Sequence, residues 1–211
     1  MKLISINISK PKEIEINGVK ELTGYFKQSI NKPVFISDLG LEGDSVVDTV
    51  HHGGIDKACY LYSYKHYDYW KKNYHRADYD FGMFGENLTI DEFDESLICI
   101  GDVFQVGSAI LQVSQPRQPC YKMGIRFGDQ KIVSDFRKSP YPGFYVRVIQ
   151  EGIVSLDNDL KLIKRYEEAQ SVLEIYQLLY EKEPDQHKSA KALDDPYLSG
   201  SVKKYIMKNN G

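Results

Sequence analysis

Cysteine is scarce in this chain, and its scarcity already excludes several chemistries. Cys59, Cys99 and Cys120 are its only cysteines, far apart and without a Cys-x-x-Cys pair. Neither a disulfide framework nor a thiolate zinc site is indicated, and the thiols are expected to be reduced. An excess of one charge is missing too. Lys and Arg number 27 against 30 Asp and Glu, interspersed to a formal net charge of −3, which leaves no basic field for duplex nucleic acid or an anionic membrane. No apolar run is long enough to span a bilayer, and the opening residues Met1 to Ile8 alternate instead of running apolar. The expectation is a cytoplasmic protein without nucleic-acid or membrane partners. Repeats and low-complexity stretches are absent, and 211 residues suffice for one substantial core with a small appendage.

What is present centres on Gln115-Pro116-Arg117-Gln118-Pro119-Cys120-Tyr121-Lys122. Each proline fixes its own φ and pushes the residue before it out of helical geometry, so Gln115 and Gln118 are expected to be extended and the loop stiff. Arg117 and Lys122 lie close in sequence to Cys120, and a positive charge there would favour the thiolate, the form that attacks or ligates. The plainer alternative is a buried cysteine in a turn packed by prolines.

The rest of the chain reads as strands first and helices last. Ile4, Ile6 and Ile8, then Ile14 and Ile16, alternate with polar residues up to the turn pair Asn17-Gly18. His51-His52-Gly53-Gly54 precedes a stretch read as helical, where Tyr67, Trp70 and Tyr74 recur at helical spacing. A junction of that kind can aim N–H groups at an anion. The aromatic run from Tyr60 to Tyr74 reads as a core-facing stripe and not as a base-stacking platform. Val103 to Val113, with Gly107-Ser108 at its centre, is a predicted hairpin delivering the chain to the Cys120 loop. A short helix is expected around Ile132, Val133 and Phe136, then strands at 143–149 and 160–163. From Arg165 helix formers dominate. Ser171-Val172-Leu173-Glu174 matches a capping box, and Pro184 and Pro196 cut the tail into three short helices, the second carrying Ala190 and Leu193. Each is too short to stand alone, so the tail must bury its stripes against itself, the body or another copy in a homodimer.

Taken together, Thr-Gly-Tyr-Phe-Lys at 23–27, Leu-Glu-Gly-Asp at 41–44, His-His-Gly-Gly-Ile-Asp-Lys-Ala at 51–58, Phe-Gly-Glu-Asn-Leu-Thr at 84–89 and the 115–122 loop resemble the MOSC family in its YiiM-type branch, over essentially the whole chain. The resemblance implies a mainly β fold with helices, a closed antiparallel β-barrel over 1–164 followed by a three-helix segment over 165–211. It further implies a bound molybdenum cofactor with Cys120 as the metal ligand and Arg117 as a cation near it. Thr23, Lys27, His52, Lys57 and Asn87 match motif positions around the cofactor's phosphate and pterin. A thiolate suits a soft metal centre, and Lys, Arg and backbone N–H groups suit a phosphate. Asp44, Asp56 and Glu86 read as orienters of those cations or proton donors, or equally as turn and cap stabilisers. Adjacent histidines on an extended segment point to opposite faces, so at most one faces the site, and His52, next to Gly53, is the choice.

The function implied is an oxidoreductase that removes oxygen from N-hydroxylated substrates such as 6-N-hydroxylaminopurine, detoxifying base analogues. No flavin or nicotinamide motif is visible, so a separate reductase is expected to supply electrons. Two rivals use the same residues. Cys120 as a persulfide would make a sulfur carrier for cofactor assembly, and a cleft without chemistry would make a pterin- or anion-binding module.

Overall fold

The computed structural model describes residues 1–209 apart from 17, 46, 48–52 and 77. The chain opens with β1 (Leu3–Ile8), a ribbon of β2 (Lys12–Ile16) and β3 (Val19–Thr23), and the short strands β4 (Gln28–Ile30), β5 (Val34–Ser37) and β6 (Gly40–Leu41). A 3₁₀ turn at Ile55–Lys57 leads into β7 (Cys59–Ser63), α1 (Lys65–Asn73) and β8 (Leu88–Ile90). There follow β9 (Val103–Val106), β10 (Ala109–Pro116), α2 (Tyr121–Phe127), α3 (Lys131–Lys138), β11 (Phe144–Gln150), β12 (Gly152–Val154) and β13 (Leu160–Lys164). The tail forms α4 (Val172–Leu178), α5 (Gln186–Asp194) and α6 (Gly200–Asn209).

An eight-stranded sheet runs β13-β9-β10-β11-β7-β8-β1-β4, beside a three-stranded sheet β12-β5-β6 and the β2-β3 ribbon. The expected closed antiparallel barrel differs from this in two respects. First, β7 and β8 pair in parallel, because α1 and a long loop carry the chain between them. Second, the ladder does not close among the described residues. Its ends approach through the lone Lys2–Asp159 bridge and backbone bonds of Leu3 N–H to Asn158 O and Asp157 N–H to Leu3 O, each 2.9 Å.

Local signals translate directly where the partner is a chain neighbour. Gly107 at φ 57° and Ser108 close the β9–β10 hairpin with Ala109 opposite Val106. Ser171 Oγ accepts from Glu174 N–H at 3.1 Å while Glu174 Oε2 accepts from Ser171 N–H at 2.9 Å, the full capping box at the head of α4. A bulge in the β1–β8 pairing between Leu3 and Ser5 shifts the face, burying Leu3 and Ile6 fully while Ile4 and Ile8 are half-buried. In α5 the buried pair is Ser189 and Ala192, with Ala190 exposed and Leu193 half-buried. Asp185 caps the head of that helix by accepting from the His187 and Lys188 N–H groups.

The main core lies between the sheet and the tail, and α4 to α6 contribute Val172, Ile175, Ala192, Val202 and Ile206 to the same apolar cluster as Leu3, Leu61, Leu88 and Val146. The tail's apolar stripes are thus buried against the body. A second, aromatic cluster joins Tyr60, Tyr62, Tyr67, Trp70, Phe84, Phe127 and Phe136, as the core-stripe reading of that run requires. No helix among the described residues is long and apolar enough to cross a membrane.

Candidate functional site

One cleft, partly open to solvent, collects residues from six stretches of sequence. Thr23 ends β3, Tyr25 and Lys27 lie ahead of β4, Asp44 follows β6, and Lys57 closes the 3₁₀ turn. Gly85 and Asn87 precede β8, Arg117 follows β10, Lys122 sits on α2 and Tyr145 on β11. Five residues expected around a cofactor, Thr23, Lys27, Lys57, Asn87 and Arg117, therefore line one cleft. His51 and His52 lie outside the described residues. Cys120 does not line the cleft; it is half-buried at the N-cap of α2 and packs against the aromatic cluster. It nonetheless counts among the groups acting electrostatically on Arg117, Tyr25 and Tyr145, which do line it.

Asp44 organises one side. Its Oδ2 accepts from Lys27 Nζ at 2.5 Å and from Asn87 Nδ2 at 2.8 Å, and its Oδ1 accepts from Ser9 N–H at 2.8 Å. Asn87 in turn accepts from Tyr60 N–H at 3.2 Å, which pins it to β7. The orienting role expected of Asp44 is present in the geometry. Asp56 instead pairs with Arg147, away from the cleft, because the turn that points Lys57 inward points its predecessor outward. Glu86 is fully buried and accepts from Tyr67, Gly82, Phe84 and Thr89, holding the turn under Asn87 and not a cation. The double glycine leads to a single 3₁₀ turn and then strand β7, so the expected helix N-terminus there does not form. The run Cys59-Tyr60-Leu61-Tyr62-Ser63 is too rich in strand formers to continue as helix.

Arg117 dominates the other side. It is 4 % exposed, donates through Nη1 to Tyr145 Oη, and lies over the rings of Tyr60, Tyr145 and Tyr25 at 5.2, 5.6 and 5.9 Å. Burial works against its charge; Tyr145, Cys120, Tyr25 and Tyr60 raise its pKa above the ordinary value, but only through their ionised forms, so at neutral pH the protonated tyrosines leave the burial largely uncompensated. Its Nε–H is enclosed with no hydrogen-bond partner among the described residues, and so is Tyr25 Oη. Burial raises the pKa of Tyr25 well above normal, so its hydroxyl stays protonated. Gly85 makes room for that ring: at φ +81°, a Cβ there would stand 3.0 Å from Tyr25 Cε2.

An enclosed hydroxyl without a partner costs about 1–3 kcal/mol. Tyr25→Phe is expected to raise the unfolding temperature of the ligand-free protein by roughly 2–4 °C per kcal/mol recovered. Differential scanning fluorimetry would show this, and a lowered temperature would mean that the hydroxyl has an acceptor after all.

The lining holds four cations, Lys27, Lys57, Arg117 and Lys122, against one carboxylate, Asp44, in a chain of net charge −3. Lys27 is neutralised by Asp44, and Lys122 Nζ stands 2.8 Å from Glu21 Oε1. No carboxylate contacts Arg117 among the described residues. The chemistry of this donor set suits an anionic, phosphate-bearing ligand with apolar or aromatic parts against the tyrosines. Tyr25, Tyr60 and Tyr145 were not singled out from sequence. Tyr25 stands inside the 23–27 motif, whereas Tyr60 and Tyr145 carry no signal apart from their strands.

The MOSC domain model matches residues 48–161. The uncharacterized protein YflK of Bacillus subtilis (strain 168) is 37% identical over 206 residues, 98% of this chain and 93% of YflK. Protein YiiM of Escherichia coli (strain K12) is 38% identical over 141 residues, 66% of this chain and 63% of YiiM. A protein named Reductase from Gibberella moniliformis is 30% identical over 181 residues, 84% of this chain but 32% of that protein. The crystal structure of YiiM from Geobacillus stearothermophilus superposes with a TM-score of 0.84 at 30% identity, covering 100% of this chain and 99% of that one. That of Escherichia coli YiiM gives 0.78 at 28% identity, covering 99% and 92%.

Proposed function

The chain belongs to the MOSC domain family, and from that premise we propose that it is a molybdenum cofactor-dependent oxidoreductase reducing N-hydroxylated compounds, 6-N-hydroxylaminopurine-type base analogues among them. The observation that carries the reading is Arg117, a buried cation without a carboxylate, in a lysine-lined cleft beside the Cys120 loop. When bound, the cofactor supplies two-electron chemistry, R–NHOH plus two electrons and two protons giving R–NH2 and water. Cys120 would hold the metal, binding it through sulfur. Arg117, Lys57 and Lys27 would hold the phosphate, Thr23 and Asn87 the polar edge of the pterin, and Asp44 keeps Lys27 and Asn87 in place. Tyrosines 60 and 145 wall the site against water. A separate reductase would supply the electrons.

The test is molybdenum content, by elemental mass spectrometry, of wild type and Cys120→Ala from cells that make the cofactor. Near-stoichiometric metal in the first and its loss in the second is the expected result. A wild type without molybdenum, from cells that load another molybdenum enzyme, would overturn the reading and turn attention to a persulfide on Cys120.

A further inference from the structure

Arg147, on β11, makes contacts in three directions and lines no part of the cleft. Its Nε–H donates to Asp56 Oδ1 at 2.8 Å and its Nη1 to Gln112 Oε1 at 3.0 Å, while Nη2 lies 2.7 Å from Asp56 Oδ1 and 2.8 Å from the Tyr197 carbonyl. Asp56 is the middle residue of the 3₁₀ turn whose last residue is Lys57. Tyr197 lies in the link between α5 and α6. A three-residue 3₁₀ turn has no stability of its own, so the position of Lys57 is set by what grips the turn from outside. Arg147 grips it with a rigid fork, and Ser114 Oγ grips the same turn by donating to the Asp56 carbonyl at 2.5 Å.

The same stretch of tail also holds the approach to Arg117. Ser199 N–H donates to Ser114 O and Ser201 Oγ to Gln115 Oε1, both at 3.1 Å, three and two residues ahead of Arg117 respectively. Residues 197 to 201 thus reach two of the segments that bring cations to the cleft, that of Lys57 through Arg147 and that of Arg117 directly, and Asp195 Oδ1 fixes that link by accepting from Tyr197 N–H at 2.7 Å.

We infer that Arg147 is a positioning residue that fixes Lys57 through Asp56 and ties it to the Tyr197 carbonyl, so that the C-terminal helices set the geometry of the anion-binding wall. What Lys57 holds rests on the cofactor reading; the brace itself does not.

The experiment measures molybdenum retained by holoprotein after prolonged dialysis. Outer partners of a binding group are worth about 10- to 100-fold in affinity, and Arg147→Met and Asp56→Asn are each expected to retain at least about tenfold less than wild type. Because Arg147 acts through Lys57, Arg147→Met should add nothing further in a Lys57→Ala background, whereas a general loss of stability would add its full effect there. Additive losses, or wild-type retention in Arg147→Met, overturn the inference. If wild type itself holds no metal, the cofactor reading falls and amide exchange decides alone. The Lys57 N–H, bonded to Gly54 O at 2.9 Å, should exchange about tenfold faster in Arg147→Met, and an unchanged rate overturns the brace.

Discussion

Arg117→Met is expected to strip the cleft of its anionic ligand while leaving the fold at least as stable as wild type. Removing a guanidinium from water costs several kcal/mol, which a buried ion pair normally offsets through its carboxylate. Arg117 has one hydroxyl, three ring faces and an unpartnered Nε–H instead. A cation over an aromatic face recovers about 0.5–2 kcal/mol, so much of the desolvation remains uncompensated until an anion arrives. Methionine fills similar volume without charge, so the desolvation is no longer incurred and only the contact to the Tyr145 hydroxyl and the ring faces is lost. Truncating one member of a buried charged contact weakens binding by about 2–5 kcal/mol, so cofactor retention should fall about 100-fold. The opposite pattern, a melting temperature lowered by more than about 5 °C with molybdenum content intact, would make Arg117 a pillar of the aromatic cluster and nothing more.

How much of this was legible in the sequence depended on the distance between partners. The Gly107-Ser108 hairpin and the Ser171–Glu174 capping box are signals whose physics closes within four residues, and both form as written. Motif order grouped Thr23, Lys27, Lys57, Asn87 and Arg117, which the fold brings to one cleft. Composition said nothing of β7 pairing in parallel with β8, since strand direction is set by the α1 crossover and not by the strands' own residues. The Cys120 loop stood out by its two prolines, but the packing of Cys120 against the aromatic cluster depends on residues far away in sequence.

Other features escaped because a plausible local reading competed with a stronger tertiary one. Gly53-Gly54 suggested the start of a helix, yet the strand-forming run from Cys59 takes over after one 3₁₀ turn. Asp56 read as an orienter of the cations or a proton donor, or equally as a turn stabiliser, and its partner Arg147, 91 residues away, holds it outside the cleft. In α5 the apolar pattern was too sparse to fix a face, and Ala192 is the residue that joins the main apolar cluster.

Glu86→Ala is expected to cause the largest loss of stability. The carboxylate is fully buried; its Oε1 accepts from Tyr67 Oη, from Gly82 N–H at 2.9 Å and from Thr89 Oγ1 at 3.0 Å, and its Oε2 accepts from Phe84 N–H at 3.1 Å. Alanine leaves these donors enclosed without an acceptor. Breaking such a buried charged network costs about 3–5 kcal/mol, or a fall of about 10 °C at roughly 2–4 °C per kcal/mol. Because the same turn carries Gly85 and Asn87 to the cleft, ligand retention should fall with it. Glu86→Gln keeps the shape but sets an amide donor against one of the N–H donors, so about half the loss is expected. The pH dependence has a definite sign. Burial raises the Glu86 pKa, and the hydrogen bonds from Tyr67, Gly82 and Thr89 only partly oppose it. A group whose folded pKa lies above its unfolded one contributes stability that is fully present below the unfolded value and is lost as pH rises through the folded value. The stability advantage of wild type over Glu86→Gln, read from urea midpoints, should therefore shrink as pH rises through the folded pKa of Glu86. An advantage that grows with pH would mean that the four donors overcome burial and that the carboxylate is held ionised in the fold.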